Sequence, residues 1–306
     1  MRRAPHSIRH PWSFLLAAGK QARHILRYKL FYLAAEKNGV AYFYPEKPHP
    51  YTIAYKALHL NGIRVTAGLP GRSDPSPVIF LWEDSTVSRH RLPALSSAAL
   101  VVNARCSDIS KSLVGKIHSE VFGYQAEVDP LRHAGSMVAK SNENGTHSGE
   151  IVRGPLARVK AGWVYQRLID NTPEALGIPS ADTGRAVDLR VPVFGSVWQH
   201  AYIKYRRLSS RFGNVNDKVE FVKTDTLFTQ SEVERLNEFC SRIGLDYGEL
   251  DVVRDSGSKQ IFVLDVNKTP LGPPNGLSKM DTEIALRAYK KSFLNFIRRS
   301  PANTLS

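Results

Sequence analysis

Cysteine is almost missing from this chain: Cys106 and Cys240 are the only two in 306 residues. They stand far apart and without partners at metal-ligand spacing, which excludes a disulfide framework and a zinc ribbon and suits a reducing, cytoplasmic setting. Long hydrophobic runs are missing as well. The apolar run from Trp12 to Gly19 is too short to span a bilayer and lacks a small-residue cleavage pattern, so neither a transmembrane helix nor a signal peptide is predicted. No internal repeat and no long low-complexity tract occurs. Acidic residues are scarce, 28 against 42 Lys and Arg for a net charge of +14, and none precedes Glu36. An excess of this kind points to an anionic partner: a nucleotide, a nucleic acid, an acidic substrate or an anionic membrane surface. No recognised nucleic-acid motif is present, so nucleic acid is not expected.

Part of the basic excess (Arg2, Arg3, Arg9, Lys20, Arg23, Arg27, Lys29) lies at the start of the chain. A helix packed on its own domain with a solvated basic face is the favoured account of this stretch, and a basic amphipathic helix in peripheral contact with a membrane surface is the alternative. From Tyr51 onward helical and strand patterns alternate as in an α/β domain. Ile53, Ala57 and Leu60 share one helical face, Gly62 stops the helix, and Ile63 to Ala67 follows as a strand. Val78 to Trp82 and Ala98 to Asn103 are continuous apolar runs, as expected of strands covered on both faces. Ser107 can cap a helix carrying Ile109, Leu113, Ile117 and Val121 until Gly123 ends it.

After Asp129-Pro130 the alternation gives way to strands separated by Gly-rich loops. Ser136 to Ser141, Glu150 to Arg153 and Gly162 to Ile169 are predicted strands, and the loop from Asn142 to Gly149 is rich in Gly, Asn, Ser and His. Beyond Pro179, Val187 to Phe194 and His200 to Arg206 can pair antiparallel. Ser231 to Glu234 reads as a capping box for a helix with Val233, Leu236, Cys240 and Ile243 on one stripe, stopped by Gly244. A last helix is predicted from about Asp281 to Arg299. Three units are expected: residues 1–106, 107–178 and 179–306.

The chemistry concentrates between Gly244 and Asn267, where two strand patterns flank a polar turn, the pattern of a hairpin. Alternation puts Glu249, Asp251 and Val253 on one face of the first strand, and Ile261, Val263, Asp265 and Asn267 on one face of the second. If the turn centres near Ser258, Asp251 falls opposite Asp265, and Leu250, Val252, Phe262, Leu264 and Val266 form an apolar reverse side. Opposed like charges are destabilising unless something offsets them. A divalent cation would do so, and oxygen ligands of this kind suit magnesium (Mg2+), completed by water and nucleotide phosphates. An exposed hairpin with solvated acids is the bland alternative; the Asp-x-Asn spacing and the following loop, Lys268 to Pro274, weigh against it.

With these residues in place the sequence resembles the ATP-grasp superfamily, which includes D-alanine ligases, glutathione synthetases and ribosomal-protein glutamate ligases. The resemblance covers about Ser107 to Ser278 and rests on the order of the elements. It implies an α/β (α+β) ATP-grasp fold behind an N-terminal parallel-sheet domain. It also implies metal ligands at Asp251, Asp265 and Asn267. Met137-Val-Ala-Lys140 resembles the strand ending in a phosphate-contacting lysine, followed by the flexible phosphate-covering loop; Lys111 matches a second such lysine more loosely. Trp163 to Ile169 resembles the hinge strand holding adenine, with Gln166 where the family usually has glutamate and with Leu168 and Ile169 beneath the base. Arg190 and Arg206 match the arginines that contact the transferring phosphoryl, although a one-residue register slip would put Arg207 there instead. Asn103 to Lys111 and Glu120 to Tyr124 echo members associated with bacterial surface polysaccharides.

The function implied is an ATP- and Mg2+-dependent ligase that activates a carboxylate as an acyl phosphate for attack by an amine, with small-molecule, peptide or glycan substrates. A kinase of the same fold acting on a hydroxyl group, and a non-catalytic basic binding protein, are the alternatives.

Overall fold

The computed structural model describes residues 11–71, 77–93, 99–146, 148–177, 184–213 and 215–298. Helix α1 (Pro11–Ala34) precedes strand β1 (Val40–Pro45), helix α2 (Ile53–Leu60) and strands β2 (Arg64–Ala67), β3 (Val78–Trp82) and β4 (Leu100–Val102). These strands form one parallel sheet in the order β2-β1-β3-β4. The apolar run Ile79–Trp82 is buried throughout, as a parallel strand covered on both faces must be. Strand β1, inserted between β2 and β3, precedes the alternation predicted from Tyr51.

Helix α3 (Lys111–Phe122) starts after Ser110, three residues later than the Ser107 expected from sequence, and the Ser110 side chain makes no capping bond. The displacement has a local cause: Ser107 O accepts from Ser88 N and Ile109 N donates to Thr86 O, which holds residues 107–109 extended. Gly123 ends the helix in the left-handed region (φ 79°), where glycine carries no steric penalty. Strands β5 (Gly135–Ser141), β6 (Glu150–Gly154) and β7 (Trp163–Arg167) then make a small antiparallel sheet, ordered β6-β5-β7, around Met137, Ala139 and Tyr165.

The third sheet is the largest. Strands β8 (Arg185–Phe194), β9 (His200–Arg207), β10 (Lys218–Lys223), β11 (Tyr247–Arg254) and β12 (Ile261–Asn267) run antiparallel in the order β10-β9-β8-β11-β12. One face packs on α3 and on helix α4 (Gln230–Ile243), burying Leu189, Val191, Leu236, Phe239 and Leu250 in one core. The capping box of α4 is Thr229 with Glu232, two residues before the one read from sequence; Glu234 instead takes a bond from Gln230 Nε2 at 3.0 Å. Helix α5 (Lys279–Ile297) returns to the first sheet, and its Tyr289 and Phe293 share a core with Phe43, Phe80, Tyr202 and Tyr247. The buried Asn103 ties β4 to β11: its Oδ1 accepts from the amides of Asp246 and Tyr247, and its Nδ2 donates to Tyr247 O. Among the described residues no helix is long and apolar enough to cross a membrane.

The hairpin of β11 and β12 pairs Asp251 with Asp265 and Glu249 with Asn267. Between Asp251 and Val252 the register slips by one residue, because Val252 pairs with Val263 and leaves Leu264 as a bulge. The alternation predicted for residues 261–264 therefore inverts. Ile261 and Val263 join Leu250 and Val252 in the buried core, while Phe262 and Leu264 move to the opposite face with Val253.

Candidate active site

The exposed face of the large sheet, the β5–β7 sheet and the edge of the parallel sheet enclose one cavity of about 970 Å³. Strand alternation explains which side chains reach it. Asp188 and Arg190 on β8 face Lys204 and Arg206 on β9, and Asp251 on β11 lies directly opposite Arg190.

The floor is a lattice of paired charges. Arg190 grips Asp251 with two parallel bonds, Nε to Oδ1 at 3.0 Å and Nη2 to Oδ2 at 3.1 Å. Its third nitrogen, Nη1, lies 3.1 Å from the buried Glu249. Lys204 Nζ adds a bond of 3.1 Å to Asp251 Oδ1, and Arg206 pairs with Asp188. Burial would raise the Asp251 pKa, but Arg190 and Lys204 hold it well below the ordinary carboxylate range. Glu249 is more deeply enclosed, and burial pushes its pKa up to about 7 despite Arg190. Asp265 Oδ2 lies 3.6 Å from Lys111 Nζ, and its pKa is raised by burial, with Lys111 opposing.

The roof is charged differently. Lys140, at the cavity end of β5, has no carboxylate within ion-pair distance among the described residues, and burial lowers its pKa to about 8. The loop from 142 to 149 crosses the cleft here. Asn144 N donates to Thr86 Oγ1 at 2.8 Å and its Nδ2 to Val266 O at 3.0 Å, while Lys111 Nζ reaches Glu143 O at 2.9 Å. Gly149 lies so near Phe212 that an added Cβ would come within 2.9 Å of its ring, so glycine is required for this approach.

At the hinge, Gln166 is buried and donates from Nε2 to Glu127 Oε1 at 2.9 Å, and Glu127 in turn fits against the bare Cα of Gly115. Val138, Ile169, Val253 and Leu264 supply apolar lining, and Ile169 O accepts from Arg211 Nη2 at 3.0 Å. The far end of the cavity is closed by the first sheet and the loop after β12. Thr269 Oγ1 bonds Asp84 Oδ1 at 3.0 Å, and Thr52 pairs with Leu271.

A solved structure of similar fold is the ATP-grasp ligase PsnB complexed with minimal precursor, at a TM-score of 0.53 and 13% identity over 85% of this chain and 99% of that one. The chain has the ATP-grasp fold. Two further ATP-grasp structures align less closely. D-alanine–D-alanine ligase from Bacillus anthracis complexed with ATP gives a TM-score of 0.48 at 12% identity, covering 86% of this chain and 96% of that one. A RimK domain ATP-grasp protein from Sphaerobacter thermophilus gives 0.44 at 11%, covering 85% and 99%. No family model matches the chain, and no curated protein matches its sequence.

Of the residues singled out from the sequence, this ATP-grasp cleft brings together Lys111, Lys140, Gln166, Ile169, Arg190, Arg206, Asp251, Asp265 and Asn267. Leu168 lies outside the cavity lining, of which Val138 and Leu264 are part. Arg206 faces inward and Arg207 is exposed, which settles the register left open by sequence. Lys204, Asp188, Glu127 and Arg211 were not singled out, and Glu249 was placed on the Asp251 face of its strand without a role. Alternation alone could have found the first two, since Lys204 stands two residues from Arg206 and Asp188 two from Arg190. Among the described residues no three His, Cys, Asp or Glu side chains cluster at metal-binding distance. The candidate metal donors are two carboxylates and an amide, and both Asp251 oxygens already accept from Arg190 and Lys204. Asn267 Oδ1 likewise accepts from Thr269 N at 2.9 Å and Asp265 Oδ1 from Val266 N at 3.0 Å. Hard oxygen donors on one face of a hairpin, with cations already offsetting their repulsion, are of the type that would suit a magnesium ion.

Proposed function

We propose that the protein is a cytoplasmic ATP- and magnesium-dependent ligase that joins a carboxylate, borne by a peptide or a glycan, to an amine. The carrying observation is the asymmetry of the cleft: a roof lysine with no carboxylate at ion-pair distance among the described residues faces acidic and amide oxygens in the floor, inside an ATP-grasp fold. Peptide carboxylates are favoured over free amino acids because PsnB, which shares the fold, is a ligase complexed with a precursor.

On this reading Asp265, Asn267 and Asp251 hold magnesium, which supplies charge neutralisation at the nucleotide phosphates. Lys140 and Lys111 place positive charge against phosphate oxygens, and the backbone amides of the 142–149 loop add donors and exclude water. The hinge from Gln166 to Ile169, with Val138, Val253 and Leu264, receives the adenine. Arg190 and Arg206, held in place by Asp251, Glu249 and Asp188, present fixed donors to charge developing on the transferring phosphoryl group and on the acyl centre. The carboxylate and the amine enter from the end lined by His49, Thr52, Asp84 and Thr269. No protein nucleophile is needed.

The test is to incubate the protein with ATP, magnesium and hydroxylamine against a panel of peptides and uronic-acid glycans. A hydroxamate formed with stoichiometric ADP supports an acyl phosphate. A stable phosphorylated product without hydroxamate would replace the ligase reading with a kinase.

A further inference from the structure

Among its described side chains, helix α1 carries apolar groups on two faces, and one of them is used by the fold. Tyr28 is 3% exposed, His24 Nε2 bonds Pro50 O at 3.0 Å with its ring against Tyr51, and the Tyr32 ring meets His59. That face docks the helix on its own domain. The outward face bears Leu26, Leu30 and Leu33, at 56%, 54% and 67% exposure. Their spacing of four and three residues makes one continuous stripe. The sequence continues the same spacing back through Ala22, Gly19, Leu15 and Trp12.

We infer that α1 lies in the plane of an anionic lipid surface, with Leu26, Leu30 and Leu33 entering the headgroup boundary and basic residues contacting lipid phosphates. At about 100° per residue, Arg23 and Arg27 border the stripe on one side and Lys29 on the other. Every charged residue of the helix is basic, and the stretch before it adds Arg2, Arg3 and Arg9. An apolar stripe between basic borders on a helix too polar to span a bilayer is the composition of an interfacial helix. Charge decides the occupant. A second copy of the chain would set Arg23, Arg27 and Lys29 beside their own counterparts with no acid on the helix to offset them, and a nucleic acid offers nothing for three leucines. Anionic headgroups match both features.

The experiment is sedimentation of the full chain with vesicles of phosphatidylcholine, with and without phosphatidylglycerol. The protein pellets with the mixed vesicles, and added salt weakens the association. L26S/L30S/L33S lowers the bound fraction about tenfold, in keeping with loss of buried apolar area. R23Q/R27Q/K29Q removes the preference for phosphatidylglycerol. Both sets of positions are on the outward face and its borders, so thermal melting followed by circular dichroism stays at the wild-type midpoint. Failure of the wild type to pellet, or wild-type binding by the leucine variant, overturns the proposal. So does a lipid-free dimer that the leucine variant converts to monomer, which would make the occupant a second copy.

Discussion

The floor and the roof of the cleft hold similar groups under opposite electrostatic conditions. On the floor Arg190, Lys204 and Arg206 are matched within bonding distance by Asp251, Glu249 and Asp188. In the roof Lys140 is half-buried without such a match among the described residues, and its proton is held loosely. The cations of the floor are thus already matched by carboxylates, whereas the roof presents a positive charge that an anionic ligand would match. The supporting cores differ in the same sense: the floor rests on α3 and α4 through a broad apolar cluster, and the roof on a small one around Met137 and Tyr165. A sheet with a small core and a glycine loop is suited to opening and closing, and a rigid one to fixing the reacting atoms.

Four measurements would break or sharpen this contrast. The largest effect is expected for Asp265→Asn, which leaves the sheet intact but weakens the magnesium donors: ATP-dependent turnover falls about 10³-fold, a loss typical of removing one electrostatic element from a phosphoryl-transfer site. Next is Arg190→Met on the floor. It strands Glu249, leaves Asp251 with Lys204 alone, and costs about 3 kcal/mol by denaturant unfolding. Lys140→Met in the roof should do the reverse, lowering turnover about 10²-fold while leaving the unfolding midpoint unchanged or slightly raised, because a buried charge is removed. Equal destabilisation by both variants would erase the distinction. The smallest effect is Thr229→Ala, which removes the capping box of α4, costs about 1 kcal/mol and leaves nucleotide binding untouched.

The roof also carries a pH signature. The protonated Lys140 is the form that attracts phosphate, and burial sets its pKa in the free protein at about 8. A bound nucleotide favours that form, so affinity is full below about pH 8 and declines as pH rises through it. Titrating a nucleotide at several pH values, with Lys140→Met as the control that flattens the profile, checks the sign.

How much of this was legible in the sequence differs between local and distant pairings. The hairpin, and with it Asp251 opposite Asp265, follows from two-residue alternation about a polar turn. The bulge at Leu264 does not, because one extra residue is set by packing against α3 and α4, and it exchanges Ile261 and Val263 with Phe262 and Leu264. Helix caps shifted for a similar reason: Ser107 has the right chemistry for a cap, but backbone bonds to Thr86 and Ser88 hold it extended. The ion pairs of Arg190 and Lys204 depend on neighbours 47 to 61 residues away, and no periodicity reports those. Strand β10, Lys-Val-Glu-Phe-Val-Lys at the edge of the large sheet, carries Val219, Phe221 and Val222 and went unassigned in the sequence.

The central claim is that Asp265 and Asn267 make the floor a magnesium-nucleotide site. Isothermal titration of a non-hydrolysable ATP analogue into the wild type and into Asp265→Asn/Asn267→Ala, each with and without magnesium, tests it most directly. The account predicts that magnesium strengthens binding to the wild type and does nothing for the variant, while the residual magnesium-free affinity, supported by Lys140 and the hinge, is the same in both. Magnesium-dependent binding of equal strength in the two proteins would contradict it.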